Sequence, residues 1–146
     1  GGGGGGGGEV RVFEMPAQFV FHNINAYTDA EGRVVIDSTR LPKLLDWGFV
    51  NTGRDFVDID PCDLPQAMLW RTVVDPRLVG QSAVECAPLS TRVSEFPCVH
   101  PEWSGRAHTF IYACTSAHLY ESQPFQCFSK VNVETREEVA WHAGRR

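Results

Sequence analysis

Apolar and polar positions alternate with a period of two through much of this chain, the pattern of strands rather than helices. In the run Phe-Val-Phe-His-Asn-Ile-Asn-Ala-Tyr, residues 19–27, alternation puts Val20, His22, Ile24 and Ala26 on one face. Phe19, Phe21, Asn23, Asn25 and Tyr27 fall on the other. Thr-Asp-Ala-Glu-Gly follows at 28–32, then Arg-Val-Val-Ile-Asp at 33–37, and the two strand-like runs predict a hairpin in which Gly32 is free to take positive φ. The first strand region covers 9–27, entered at Pro16, and the hairpin ends at Ser38.

From Thr39 to Pro65 the pattern breaks. Pro42, Gly48, Gly53, Pro61 and Pro65 punctuate the run, and Asp55, Asp58, Asp60 and Asp63 add charge, so a long solvated loop with a short helix near Lys43–Trp47 is expected. Alternation returns at 67–75, turns through Asp75–Gly80, and pairs back over Gln81–Cys86. Residues 107–114 form another strand rich in aromatic and β-branched residues. Phe125–Glu134 and Glu137–Trp141 read as a hairpin about Thr135-Arg136. Strands joined by turns, without βαβ spacing, predict an all-β antiparallel fold, a propeller or a sandwich. Most of the aromatics are expected to fill the space between sheets.

The 146 residues suit one domain, expected over 9–146, after a poly-Gly tract at 1–8 that buries nothing and is expected to be disordered. The first methionine is Met15, and the chain reads as an internal piece of a longer one. Its formal charge is −5 with scattered basic residues, which argues against a nucleic-acid surface. No apolar run reaches the length of a membrane span. Five widely spaced cysteines without a Cys-x-x-Cys pair suit a reducing compartment.

The unit Phe-His-x-x-Asn-Ala-Tyr, an acidic turn, then Gly-x-Val-Val-x-Asp resembles an iron-ligand segment of the carotenoid cleavage oxygenases. Three further stretches carry the same resemblance. Leu69-Trp70-Arg71 before an Asp-Pro turn is the weakest of them. Ser94-Glu-Phe-Pro-Cys-Val-His-Pro101 with Gly105-Arg-Ala-His108 is the most specific, although Cys98 and Thr109-Phe110 replace residues usual in the family. Lys130-Val-Asn-Val-Glu-Thr135 followed by Trp141 is the third, with Asn132 in place of the usual Asp. The resemblance implies two or three blades of a seven-bladed β-propeller. It implies a non-haem iron(II) dioxygenase that cuts a conjugated double bond of a carotenoid or apocarotenoid to carbonyl products. His22 then corresponds to one of four histidine ligands, the other three lying outside this stretch, and Glu95 to a carboxylate that orients the ligand. A single ligand implies neither tight iron binding nor turnover by this piece alone. The implied partners are an apolar polyene and dioxygen, with peripheral membrane contact through other parts of the protein. Plastid residence is implied, with the cytoplasm as the alternative.

Imidazole is a good ligand for iron(II), and a carboxylate on its second nitrogen fixes the tautomer. By residue type alone, the favoured readings are a satisfied core histidine for His22 and a solvent-facing glutamate for Glu95. The pairs Cys98/His100 and Cys114/His118 can be drawn as a zinc site, but lack the usual paired-cysteine spacing. His100 and His108 read as packing residues, and His142 as a turn or surface residue. The competing functional reading is a propeller that binds partners and has lost its metal.

Overall fold

The computed structural model describes residues 10–42, 58, 60, 65–119, 124–142 and 144. The strands are β1 Phe19–Thr28, β2 Val34–Leu41, β3 Met68–Val74, β4 Val84–Cys98, β5 Phe110–Ser116, β6 Phe125–Asn132 and β7 Glu138–His142. Each pairs antiparallel with the one before it, so spatial order follows chain order. The fold is all-β, as the period of two implies.

At 15 residues, β4 is long enough to serve two sheets. Val84–Pro88 pairs with β3, and the register then jumps, so that the next β3 partner is Val93. Ser94 to Cys98 pairs with β5. The result is two four-stranded meanders, β1 to β4 and β4 to β7, that share one continuous strand.

The two sheets bury aliphatic side chains against each other. Leu69 and Leu89 come from the first sheet, and Ile111, Ala113 and Val131 from the second, with Val133 just beyond β6. Ile24 and Val99 pack at the margin. Full burial of one such side chain contributes about 1.5–3 kcal/mol. The expected aromatic core is overturned here. Phe21, Phe96 and Tyr112 are exposed, and Trp70 and Phe110 lie under the cations of Arg40 and Lys130.

Turn chemistry explains the hairpins. Asp29 Oδ1 accepts the backbone N–H groups of Glu31 and Arg33, and Gly32 sits at φ +81°. At the β6–β7 turn, Asn132 Oδ1 accepts from the N–H groups of Glu134 and Thr135. An amide oxygen thus does what a carboxylate would do there. Several boundaries differ from expectation. The first strand, expected over 9–27, starts at Phe19, and the arm expected over 125–134 ends at Asn132. Thr39–Leu41 belong to β2 rather than to the loop that starts at Thr39. Gly80–Ala83 form a short 3₁₀ helix before β4 instead of pairing back. The strand expected at 107–114 starts at Phe110. Most of the loop expected over 39–65, its short helix and the poly-Gly tract lie outside the described residues.

Candidate functional site

Strict alternation would point His22 and Asn25 to opposite sides of β1. Two irregularities overturn that expectation. The β1–β2 register slips between Val20 and His22 and again between Asn23 and Asn25. His22 then pairs with Thr39, and Asn25 with Asp37. Those β2 residues are two apart and share a face, so His22 and Asn25 share one too. Bulges cost ladder hydrogen bonds, and a side chain replaces them here. Thr39 Oγ1 accepts the His22 N–H at 3.0 Å and lies 3.5 Å from the His22 carbonyl oxygen.

The face so created looks toward the second half of β4. His22 Nδ1 lies 2.8 Å from Glu95 Oε2. An ionised carboxylate only accepts, so Nδ1 carries the proton and Nε2 presents its lone pair. No described residue hydrogen-bonds Nε2. The His22 side chain is 37% exposed and that of Glu95 12%. The Phe96 N–H also reaches Glu95 Oε2, at 3.3 Å. Phe96 itself sits at φ +52°, an unusual conformation for a bulky residue. This lies inside an irregular stretch of β4, where the register with β5 shifts between Glu95 and Cys98. The rings of Phe21 and Phe96 flank the imidazole at 5.0 and 5.8 Å between centroids. Phe96 in turn meets Phe125 edge-on. The arrangement offers one neutral imidazole nitrogen, held by a carboxylate and rimmed by exposed apolar rings.

A second polar group fills the space between the sheets nearby. Asp37 is fully buried and receives two hydrogen bonds of 2.8 Å from Arg71. His108, also buried, places Nε2 3.0 Å from Asp37 Oδ2, off the line of a good hydrogen bond. Burial alone pushes the Asp37 carboxyl up. The Arg71 hydrogen bonds and the adjacent imidazole outweigh that and hold it below the usual carboxylate range. Asn25 completes the group. Its Nδ2 faces the carbonyl oxygens of Trp103 and Arg106 and the Nδ1 of His108, at 3.1, 2.9 and 3.0 Å. Its Oδ1 accepts the Gly105 N–H at 2.8 Å.

A model of the retinal pigment epithelial membrane protein family matches residues 3–146. This chain belongs to that family. Apocarotenoid-15,15'-oxygenase of Synechocystis sp. (strain ATCC 27184 / PCC 6803 / Kazusa) is 33% identical over 134 residues, or 90% of this chain and 25% of that protein. Cobalt-substituted Synechocystis ACO superposes with a TM-score of 0.82 at 31% identity, over 96% of this chain and 28% of that one. A mutant of the Synechocystis apocarotenoid oxygenase gives the same TM-score and identity over 95% and 28%. The chain therefore spans about a quarter of the relatives it matches. Its two meanders are blades of a β-propeller.

The structure thus brings His22 and Glu95 together across two blades. Among the described residues, no three His, Cys, Asp or Glu side chains gather closely enough to hold a metal ion. What is present fits one corner of such a site, since a neutral, partly exposed Nε2 is a suitable donor for iron(II). The Cys98/His100 and Cys114/His118 pairs form no such group either. Sequence reading gave His108 a packing role and passed over Asn25, Asp37 and Arg71 as a polar group. The available signal was two buried-strand charges of opposite sign, Asp37 and Arg71, which need each other.

Proposed function

We propose that the whole protein is an iron(II)-dependent dioxygenase that cleaves a conjugated double bond of a carotenoid or apocarotenoid. The reading rests above all on the His22 Nδ1–Glu95 Oε2 hydrogen bond, which leaves Nε2 without a hydrogen-bond partner among the described residues. The family relationship and the similarity to a protein named apocarotenoid-15,15'-oxygenase supply the substrate class. Iron(II), when bound, supplies dioxygen activation next to the substrate. The reaction adds both oxygen atoms across one carbon–carbon double bond, and two carbonyl compounds leave.

The residues of this chain have separable tasks. His22 donates Nε2 as one of the metal's ligands. Glu95 accepts the Nδ1 proton, which fixes the tautomer, aims the ring and raises its basicity. Thr39 holds the backbone of His22 where the ladder is broken. Phe21 and Phe96 give a polyene an apolar surface beside the ligand, suited to a substrate with little to hydrogen-bond.

His22→Ala in the full-length protein tests this reading. The expected outcome is loss of retained iron, measured by elemental analysis after gel filtration, together with loss of polyene cleavage. Full iron occupancy with normal cleavage would remove His22 from the site, whereas a parent protein that retains no iron and cleaves no polyene would be better described as a binding propeller.

A further inference from the structure

His22 and Glu95 lie on strands that do not pair with each other. β1 hydrogen-bonds to β2, and the second half of β4 to β5, so no ladder joins the two strands directly. Side-chain contacts complete the link between β1 and the segment that leaves Glu95. Asn25 makes the most polar of them. Asn25 lies three residues after His22, is 8% exposed, and uses both ends of its amide. Its oxygen takes the Gly105 N–H, and its nitrogen faces the carbonyl oxygens of Trp103 and Arg106. These belong to the turn that follows the Pro101–Trp103 3₁₀ helix, between Glu95 on β4 and the start of β5. The same nitrogen meets His108 Nδ1, whose ring abuts the buried Asp37–Arg71 pair. Asn25 is therefore clasped by the turn on one side and by the buried pair on the other.

We propose that Asn25 is a positioning residue for His22. It latches the 103–106 turn to β1, fixes the two blades in register at this edge, and so sets the His22 imidazole against Glu95. Geometry makes the amide well suited to this. The turn presents outward-facing carbonyls and one N–H, and a primary amide is the neutral side-chain group that both donates twice and accepts. A carboxylate would repel the carbonyls, and an alkyl group would leave the Gly105 N–H and the Arg106 carbonyl without their partner, while the Trp103 carbonyl keeps the Arg106 N–H. Gly105 contributes by conformation: at φ +74° it turns its N–H toward Asn25. This role concerns the imidazole and the carboxylate, and stands whichever metal, if any, His22 binds.

The test is made on metal-free, full-length protein with ¹⁵N-labelled histidine. In the parent protein the His22 ring should show one tautomer, with the proton on Nδ1. In Asn25→Ala, the ring should show both tautomers in exchange, because Glu95 is no longer held opposite Nδ1. Asn25→Asp keeps the acceptor for Gly105 but loses the donors, and should fall between. A folded Asn25→Ala protein whose His22 ring retains the parent tautomer overturns the proposal. Should Asn25→Ala fail to fold, Gly105→Ala decides. A methyl group there meets nothing within 4 Å, yet the positive φ disfavours alanine, so the latch is loosened from the other side. Loss of protection of the residue 105 amide with an unchanged His22 ring would equally reject it. A purely structural residue would lower the melting temperature without moving the tautomer. Loss of iron in His22→Ala is a separate readout, so the metal assignment and the latch can fail independently.

Discussion

Among the described residues, two histidines come within 3.0 Å of a carboxylate, and they end up as opposites. His22 Nδ1 faces Glu95 at 2.8 Å, and His108 Nε2 faces Asp37 at 3.0 Å. What differs is the second nitrogen. The His108 Nδ1 lies 3.0 Å from Asn25 Nδ2, and the ring is sealed between sheets. Nothing among the described residues fills the His22 Nε2 lone pair, and the ring sits half open among phenylalanines. A histidine–carboxylate pair is thus neutral as to role. Saturating the remaining nitrogen makes it architecture; leaving it bare at an edge makes it available for chemistry.

The hardest blow to this contrast should come from Asp37→Ala. It strands Arg71 as an unpaired, mostly buried cation, and breaking such a pair costs about 3–5 kcal/mol. Urea denaturation of the full-length protein should show that loss, while His22→Ala should cost about 1 kcal/mol. Equal losses would make both histidine sites architectural. Next comes Glu95→Gln, which keeps a side chain of similar size. Metal affinity should drop about 10–100-fold, as when an outer carboxylate is removed from a metal-bound histidine. Unchanged affinity would mean that Glu95 serves the fold alone.

Acid should separate the two regions further. The folded Asp37 carboxyl titrates below its unfolded value, so its contribution is fully present above about pH 4 and fades as pH falls through the lower folded value. A denaturation series across this range should be flatter for Asp37→Asn than for the parent. The smallest effect belongs to an exposed pair. Arg77 donates two side-chain hydrogen bonds to Asp75 and lowers its carboxyl to about 2. Carboxyl NMR should find that midpoint, and Arg77→Ala should return it toward the ordinary range with little change in melting temperature. A large loss of stability there would show that exposure does not discount such pairs here.

Much of the fold was legible because a period of two survives single irregularities. Both hairpins and the strand at 67–75 stand close to where alternation puts them. The bulges in β1 were not legible, since they change the count of residues between ladder partners and not the residue types. They cost the reading its face assignment: His22 and Asn25 were set apart when they belong together. The double membership of β4 was also hidden. The available signal was Pro88, which cannot donate to a ladder and stands where the register jumps, next to the buried Leu89. His22 and Glu95 were found through their motifs. Their meeting across two blades depends on tertiary packing, which no local pattern encodes.

The shared strand has a consequence for anyone exchanging parts among relatives. The visible unit is the blade, but the heritable one is offset from it. A crossover placed at the blade boundary would fall within Leu89–Arg92 and sever a continuous strand beside a core leucine. A crossover in the Asp75–Ala83 turn leaves every strand whole, and moves the outer strand of one blade together with the inner strand of the next. Recombination should tolerate that seam, so Glu95 should travel with its own turn and with Val84–Pro88, while His22 travels with the segment before it.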